Sequence, residues 1–446
     1  MNTPICDFVR AYADSAAVRL HMPGHKGRGA LGVESLDITE IAGADVLYAP
    51  DGVIAESQQN ATALFGSART LYSVEGSSLC IRAMLHLAAV HARALDKRPL
   101  VLAVRNTHKT FLSAVALLDL PVEWVYPSRR QSVVSCVLTP EELEGILEAR
   151  NEMPVALYVT SPDYLGNMSD IAGLAEVCHR HGVLLLVDNA HGAYLQFLRP
   201  SRHPMAMGAD LCCDSAHKTL PVLTGGAYLH IGQNAPEGMD DMATESLSLF
   251  ASTSPSYLIL QSLDAANVYL SDGYGDRLSY SCSKIETLKE TLVQQGFSIT
   301  GDEPLKLTVC PKSYGYTGDE LAEYLADAGV VCEFSDPDYI VFMFTPEITD
   351  RELARLTNAL IDLPRRAPIL EAPPMPSACE RVLSVREAVL SPSERLPVEQ
   401  CIGRILAAPN VSCPPAIPII VCGERIDEHS ARCFAYYGIT HCRVVR

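Results

Sequence analysis

The sequence predicts an α/β protein built on a mainly parallel sheet with helices on both faces. Two observations carry this prediction. Short apolar runs alternate with helical patterns between residues 71 and 231, and the runs are apolar enough to be strands buried on both sides. After residue 231 the pattern changes to an α+β style. We therefore expect an N-terminal segment at 1–60, a large domain at 61–275 and a smaller C-terminal domain at 276–446.

Composition narrows the classes of protein that this chain can represent. Its 446 residues give room for two or three domains, and 48% hydrophobic with 20% charged residues is typical of a globular protein. A formal net charge of −18 speaks against nucleic acid or an anionic membrane as a partner, and it fits a cationic small substrate. No apolar run reaches membrane-spanning length and the N-terminus lacks a secretory pattern, so we expect a cytoplasmic protein.

Cysteine usage excludes two further classes. The 15 cysteines are odd in number, are scattered from Cys6 to Cys442 and never occur as Cys-x-x-Cys. This is neither a disulfide framework nor a zinc pattern, so we expect buried free thiols and no metal ion.

The first 60 residues contain few long periodic segments. They carry a loop from His21 to Arg28 that is rich in turn residues and basic side chains. Loops of this kind reach into a site or a neighbouring chain, or they form a surface arm, and both interpretations stay open.

The first strand of the predicted sheet leads into Gly76, Ser77 and Ser78, and an apolar helix follows from Leu79 to Arg93. A glycine lets the backbone approach an anion, hydroxyls donate hydrogen bonds, and a helix N-terminus offers free N–H groups and the positive end of its dipole. The pattern predicts a phosphate-binding turn, although serine is also a common helix N-cap.

His108 lies just beyond the next predicted strand, Val101–Val104. Its ring could stack on a planar cofactor or serve structure alone. The alternation then continues through a strand at Val122–Tyr126, a helix opened by Thr139 and Pro140, a strand at Val155–Thr160 and a helix from about Asp170 to Gly182.

The next two strands carry the residues around which the chain is organised. Val183–Val187 is an apolar run that ends at Asp188, and open α/β sheets bind ligands at the carboxyl ends of their strands. The following run leads through Ser215 and His217 to Lys218. Pyridoxal phosphate (PLP) enzymes hold their cofactor on such a lysine as a Schiff base, and the protonated ring nitrogen needs a carboxylate. The pair predicts a PLP site, with an ordinary loop lysine and a strand-end cap as the alternatives.

Beyond the large domain the predicted elements are those of an α+β domain. They are helices at Tyr257–Leu270 and Ser283–Gln295, a strand at Leu305–Cys310, a helix at Gly318–Ala328, strands at Val330–Phe334 and Tyr339–Phe344, and a helix at Asp350–Leu363. The proline-rich stretch Pro364–Pro376 is typical of a linker or a surface crossing.

Taken together, the motifs resemble the bacterial ornithine/lysine/arginine decarboxylase family. The matching stretches are His21–Lys26, Thr39–Ile41, Leu64–Gly66, Gly76–Ser78, His108-Lys109, Ser161-Pro162, Asp188 with Ala190–Ala193, Ser215–Pro221, Gly403–Ile405, Pro414-Pro415 and Gly423–Ile426. The resemblance implies a PLP enzyme of fold type I, the aspartate aminotransferase fold, with a mainly parallel seven-stranded sheet. It also implies the short form of the family, without the extra N-terminal domain of the larger members.

The resemblance implies a role for each matching residue. Lys218 would form the Schiff base, Asp188 would face the ring nitrogen and His108 would stack on the ring. His191 would lie beside the ring, near its phenolic oxygen or the substrate. The phosphate-binding set would be Gly76, Ser77, Ser78, Ser215 and His217.

A shared active site is also implied. Thr253 and Ser254 resemble residues that reach the cofactor of the partner subunit, and the loop-rich first 60 residues suit contact with a neighbour. We therefore expect a homodimer or a larger homo-oligomer. The alternative is that Thr253 and Ser254 merely cap the helix that follows them.

Several residues depart from the family pattern. The family usually shows Asp-Glu-Ala-His-Gly-Ala-His where this chain has Asn189 and Tyr194. It tends to have a polar residue at Leu165, Thr-Gln-Gly at 224–226 and proline at Cys422. None of these departures removes a group that holds PLP, so they bear on the choice of substrate.

The implied reaction is decarboxylation of arginine, lysine or ornithine to the amine and CO2, as in polyamine biosynthesis. An acidic side chain should bind the distal cation of the substrate, and Asp163, Glu56 and Glu424 are candidates. Another fold-type-I reaction, such as transamination or aldol-type cleavage, is one alternative. A catalytically inactive relative that acts as a binding partner is another.

Overall fold

The computed structural model describes residues 1–375, 378–408, 412–413 and 416–446, with the side chains of 129–131 and 412–413 excepted. The predicted Pro414-Pro415 motif and the end of the proline-rich stretch, Pro376, lie outside the described residues. The rest of that stretch, 364–375, forms neither helix nor strand and is mostly exposed, as a surface crossing requires.

Helices and strands alternate along most of the chain. The α-helices are α1 Pro4–Asp14, α2 Val53–Phe65, α3 Ser77–Ala94, α4 Lys109–Leu118, α5 Pro140–Glu148, α6 Ile171–Arg180, α7 Ala216–Thr219, α8 Met239–Ser248, α9 Tyr257–Ser271, α10 Tyr274–Gln294, α11 Gly318–Asp327, α12 Asp350–Ile361, α13 Val385–Leu390 and α14 Glu428–Tyr436. Short 3₁₀ helices span Ala193–Phe197, Pro311–Tyr314 and Val398–Gln400.

The strands belong to one large sheet and several small ones. They are β1 Arg69–Ser73, β2 Val101–Val104, β3 Val122–Val125, β4 Arg129–Ser132, β5 Ser135–Val137, β6 Ala156–Thr160, β7 Leu184–Asp188, β8 Leu211–Asp214, β9 Ala227–Ile231, β10 Ser298–Thr300, β11 Lys306–Cys310, β12 Phe334–Ser335, β13 Ile340–Met343, β14 Ser393–Pro397, β15 Ser412–Cys413, β16 Ile417–Pro418 and β17 His441–Val445.

The large sheet has seven strands in the order β1-β9-β8-β7-β6-β2-β3. The pairs β7–β8 and β2–β3 are parallel, whereas β9 runs antiparallel to both β8 and β1. Every residue of β7, β8 and β9 is buried, which explains why these strands are almost entirely apolar in sequence. The predicted α/β class with a mainly parallel seven-stranded sheet is confirmed.

The chain folds into two units, each made of non-contiguous segments. The first unit contains residues 1–99, 146–159 and 170–276. The second contains residues 100–145, 160–169 and 277–446. The domain boundaries expected from the sequence, 1–60, 61–275 and 276–446, stay a prediction.

Each unit has its own apolar interior. In the first, α3 packs on β8 and β9 through buried side chains such as Leu79, Ile81 and Leu85. The second unit contains the four-stranded antiparallel sheet β10-β11-β13-β12 and a hydrophobic core that includes Ile419 and Phe434. Among the described residues no helix is long and apolar enough to cross a membrane. The described cysteines are free thiols, as expected, and most are buried.

One helix near the N-terminus was not predicted, and two local expectations were wrong. The first 60 residues contain two helices, α1 and the start of α2, because a short face with Ile5 and Val9 four residues apart is enough to bury α1. Of the predicted strand Val330–Phe334, only the last residue lies in a strand. Phe334 begins β12, which pairs with β13, and the residues before it form a loop. Helix α10 begins at Tyr274, well before the predicted Ser283.

The Asp45 carboxylate anchors the start of α2. It accepts hydrogen bonds from the backbone N–H groups of Asp51, Gly52, Ile54 and Ala55 at 2.9–3.2 Å. Two of these groups belong to the first turn of the helix, where N–H groups lack partners within the helix and an anion is favoured. Partial burial opposes ionisation, but the backbone donors outweigh it and hold the pKa of Asp45 below its usual value.

We predict that Asp45→Ala lowers the free energy of unfolding by about 1–2 kcal/mol at neutral pH, because several backbone donors lose their acceptor. Since the pKa is lowered in the folded state, the stabilisation is present at neutral pH and is lost as the pH falls through that lowered value. Urea denaturation of wild type and variant should therefore converge in acid. Asp51→Ala, an exposed position in the same loop, is the matched control and should change little. Equal stability of wild type and Asp45→Ala at neutral pH would contradict the anchoring role.

Candidate functional site

The candidate site lies at the carboxyl end of β7, in the first unit. Asp188 is the last residue of this strand and is only 2% exposed. The next strand in the sheet, β8, ends at Asp214 and continues through Ser215 into the short helix α7, which carries Lys218. The parallel pairing of β7 with β8 therefore brings the two ends that carry the predicted residues to the same edge of the sheet.

Asp188 is held by neutral donors. The hydroxyl of Tyr158 donates to Oδ2 at 3.0 Å, and the backbone N–H of Ala190 donates to Oδ1 at 3.3 Å. The thiol of Cys213 lies 3.7 Å from Oδ1. Burial raises the pKa of Asp188, and the positive charge of Lys218 opposes that shift. A carboxyl group in this state gains most from a cationic partner at close range, which is what a protonated pyridine nitrogen offers.

Lys218 is half-buried, and its Nζ lies 3.0 Å from Nε2 of His191. His191 is itself buried and follows Asp188 by three residues in the turn after β7. The ammonium group can donate a hydrogen bond to the neutral imidazole, so His191 can take a proton from Lys218. Loss of that proton gives the amine, which is the nucleophilic form of lysine.

The N-terminus of α3 lies beside the start of α7. The Ser215 hydroxyl donates to Oγ of Ser77, the first residue of α3, at 2.7 Å. Gly76 precedes the helix with φ 71°, a conformation that glycine adopts without strain, and it provides no side-chain cap for the helix. Ser78 is the second residue of the helix. Two hydroxyls and the first N–H groups of an 18-residue helix therefore form a site suited to a phosphate.

His217 lies on α7, next to Lys218. Its Nδ1 lies 3.0 Å from the carbonyl oxygen of Gly226, so Nδ1 carries the proton and donates it. This bond orients the ring and leaves Nε2 as the nitrogen that can face a ligand.

Three of the predicted residues are carried by elements other than β7, β8, α3 and α7. His108 belongs to the second unit, where it is the N-cap of α4 and its Nδ1 accepts the backbone N–H of Thr110 at 3.2 Å. Thr253 and Ser254 are exposed, and α9 is capped by Ser256, whose hydroxyl accepts the N–H of Ile259. The alternative in which Thr253 and Ser254 cap this helix is therefore wrong.

The three candidate acids for a distal cation have different surroundings. Asp163 is buried in the second unit, and its oxygens accept bonds from the Ser135 hydroxyl and from the backbone and side chain of Asn167. Burial raises its pKa to about 6 against the effect of these bonds. Its carboxylate is thus used to organise its own loop. Glu56 is exposed on α2, and Glu424 is buried and accepts the N–H of Val421 at 2.6 Å.

Sequence reasoning missed several residues around the site. Tyr158 lies in the middle of β6 as one more apolar strand residue, and only the order of strands shows that its hydroxyl meets Asp188. Asn189 was noted as a departure from the family pattern, but its partner Asp214 was not. His203 and His230, which both bind Asp214, gave no local signal because they lie on separate segments.

The residues present fit PLP. The N-terminus of α3 offers an anion site for the phosphate. Lys218, whose proton can be removed, suits the aldehyde. The buried carboxylate of Asp188, whose hydrogen-bond donors carry no formal positive charge, suits the ring nitrogen.

Comparison with known proteins shows a consistent pattern. A family model described as "Orn/Lys/Arg decarboxylase, major domain" matches residues 3–308, and one described as the C-terminal domain of the same family matches residues 374–442. The protein YaaO of Bacillus subtilis (strain 168), which is described as uncharacterized, is 30% identical over 97% of this chain and 93% of its own length. An arginine decarboxylase of Halalkalibacterium halodurans is 29% identical over 96% of this chain and 91% of its own length.

Among solved structures, the lysine decarboxylase LdcF of Francisella novicida superposes with a TM-score of 0.80. The superposition covers 100% of this chain and 81% of that one, at 17% sequence identity. At this identity the likeness establishes the fold, which is the fold expected from the sequence.

Proposed function

The chain belongs to the Orn/Lys/Arg decarboxylase family, and from that premise we propose that it decarboxylates a basic amino acid with the help of PLP. The substrate would be arginine, lysine or ornithine, and the products would be the corresponding amine and CO2, as in polyamine biosynthesis. The observation that carries the proposal is the pairing of a buried Asp188 with Lys218 and His191 at one strand edge. A cytoplasmic location is part of the proposal.

The residues proposed to hold PLP divide by the end of the molecule that they meet. Lys218 would bind it covalently and Asp188 would bind its ring nitrogen. Gly76, Ser77, Ser78, Ser215 and His217 would bind its phosphate. His108 is proposed to stack on its ring, and Thr253 and Ser254 to contact the site of a partner subunit. When bound, PLP supplies an electron sink for the pair of electrons that remains on Cα after CO2 leaves.

The contribution of Asp188 is electrostatic. Tyr158 and the N–H of Ala190 fix its two oxygens, so the charge is aimed in one direction before any ligand binds. Burial makes that charge effective, because it is poorly screened by water. A cation that meets Asp188 favours its ionised form and is itself stabilised in the charged form.

The contribution of His191 is to handle a proton at Nζ of Lys218. The 3.0 Å separation lets Nε2 accept the proton that must leave before the lysine can act as a nucleophile. The same pair can later return a proton, and Cα of the substrate is the proposed acceptor.

Arginine is slightly favoured as the substrate. Four matched relatives carry the name arginine decarboxylase, and the net charge of −18 suits a cationic substrate. The hydrogen bonds that occupy Asp163 weigh against it as the group that binds the distal cation.

We also propose a homodimer with shared sites. Three apolar side chains of the N-terminal segment, Val18, Leu20 and Leu31, are 82%, 89% and 83% exposed. Exposure of this extent in neighbouring segments is typical of a surface that a partner covers. The exposed hydroxyls of Thr253 and Ser254 are not needed as helix caps and are available to a second chain.

The reaction itself is tested by incubating the protein and PLP with each basic amino acid. We predict release of CO2 and the matching amine in equal amounts, with arginine the best substrate. Lys218→Ala is the matched control and should release neither product. Keto acids without CO2 would instead indicate transamination, and no product from any basic amino acid would favour the inactive relative.

We predict that Asp188→Asn folds and binds PLP but loses about a hundredfold or more in turnover, because an amide does not keep a ring nitrogen protonated. Steady-state rates measured at saturating PLP test this. Asp210→Asn is the matched control, since Asp210 is a buried aspartate at the opposite end of β8. Turnover of Asp188→Asn within a few-fold of the control would refute the electrostatic role.

Shared sites predict recovery of activity on mixing. One inactive variant lacks Lys218, and the other carries leucine at both Thr253 and Ser254. If the hydroxyls serve the partner's site, a mixed dimer has one site with both lesions and one intact site, so activity returns toward a fraction of wild type. No recovery after proven subunit exchange would show that each chain builds its own site.

A further inference from the structure

A buried polar network lies directly behind the candidate site. Asp214 is fully buried, and its Oδ2 lies 3.0 Å from Nε2 of His203 and 3.1 Å from Nε2 of His230. Its Oδ1 accepts the side-chain N–H of Asn189 at 2.6 Å, and the thiol of Cys212 lies 3.8 Å away. Burial alone would raise the pKa of Asp214, but the two histidines outweigh it and keep the group ionised.

The two histidines and the aspartate have the residue types of a metal site, but their hydrogen bonds favour another interpretation. Nδ1 of His203 accepts the backbone N–H of Met205 at 3.2 Å, so the proton of this ring is on Nε2. A metal-bound histidine needs the opposite tautomer, with the proton on the nitrogen that does not bind the metal. His203 therefore donates to Asp214, as it does in a hydrogen-bonded network.

Asn189 connects this network to the site. It follows Asp188 directly, and its backbone N–H bonds to the carbonyl oxygen of Cys213 at 3.0 Å. Its side chain spans to Asp214, so the ends of β7 and β8 are joined twice. The amide oxygen faces Gly192, where a Cβ would come within 2.0 Å of it, which explains the glycine at that position.

We propose that Asn189 is a positioning residue for Asp188. Its uncharged amide ties the end of β7 to Asp214, and the negative charge of this pair resides on Asp214, where two buried histidines donate to it. Asn189 thus fixes the Asp188 turn without placing a second carboxylate against Asp214. The inference rests on the proposed function for the meaning of Asp188, but the tie itself is a property of the chain.

Position 189 does not suit an acid in this chain. A carboxylate at position 189 would lie at hydrogen-bond distance from Asp214 with no proton between them. Two buried carboxylates in such contact cannot both ionise, so one must take up a proton or the strand ends must separate. The asparagine at 189 and the aspartate at 214 therefore depend on each other.

The test is an exchange of the two residues. Asn189→Asp is expected to lower the melting temperature of the chain without PLP and to weaken PLP binding about tenfold or more. Asp214→Asn alone is expected to have a smaller effect, because the amide of Asn189 can turn and present its oxygen. The double variant N189D/D214N restores one amide facing one carboxylate and should bind PLP within about threefold of wild type.

The matched control is N189D/D210N. Asp210 is also a buried aspartate next to β8 and also contacts a histidine, His179 at 3.2 Å, but it precedes the strand instead of ending it. Removing its charge should not rescue Asn189→Asp. Rescue by D210N equal to rescue by D214N would mean that net charge matters and the pairing does not, which would overturn the proposal.

Two further results would overturn it. One is an Asn189→Asp variant that melts and binds PLP like wild type. The other is a stoichiometric metal in the purified protein, detected by elemental analysis and lost in Asp214→Asn. The comparison of melting temperatures among these variants needs no cofactor. A wild-type chain that did not bind PLP would therefore refute the proposed function, whereas the melting temperatures would still decide the role of Asn189.

Discussion

The burial of the Asp188 carboxylate is the physical constraint on which the rest of the structure depends. A charged group at the end of a central strand is costly unless donors surround it and a cation meets it. The neutral donors Tyr158 and Ala190 fix its orientation, and the positive charge of Lys218 favours its ionised form. The seven-stranded sheet provides the rigid frame that holds such a group in place, because every residue of β7 is buried and closely packed.

The surrounding residues can be understood as supports for that carboxylate. His191 follows it in the same turn and reaches Lys218, while Asn189 joins the turn to Asp214 on the neighbouring strand. Asp188 and Asp214 thus lie at adjacent strand ends, and their pKa values are shifted in opposite directions. Burial raises the pKa of Asp188, whereas His203 and His230 keep that of Asp214 low. Asp214 accepts hydrogen bonds from two histidines and an asparagine of the chain, whereas Asp188 has neutral hydrogen-bond donors and is suited to bind a cationic group of a ligand.

The fold and the positions of Asp188 and Lys218 after neighbouring strands were predictable because their signals are local. A buried strand that ends in aspartate, and another followed by a lysine, can be read along the sequence without knowledge of pairing. The bounds of α3, α6 and β7 agree with the predicted elements to within two residues for the same reason. Glycine, proline and helix-capping residues mark the ends of these elements in the sequence.

Features that depend on several segments could not be predicted in this way. The bond from Tyr158 to Asp188 requires the order of the strands, and the Asp214 network requires the register of β8 with β9 together with a loop that carries His203. The helix α1 was missed because its buried face has few residues. Leu165 and Tyr194, noted as departures, are both fully buried, so in this chain they pack the interior.

The most direct test of the central claim is to locate the bond between the protein and PLP. The holoprotein is reduced with borohydride, digested, and mapped by mass spectrometry for a pyridoxyl group. A single label on Lys218, absent from a sample reduced after PLP has been removed, is the result expected from a lysine that faces Asp188 and His191. A label on another lysine, or none on a chain that decarboxylates its substrate, would contradict the assignment of this strand edge as the active site.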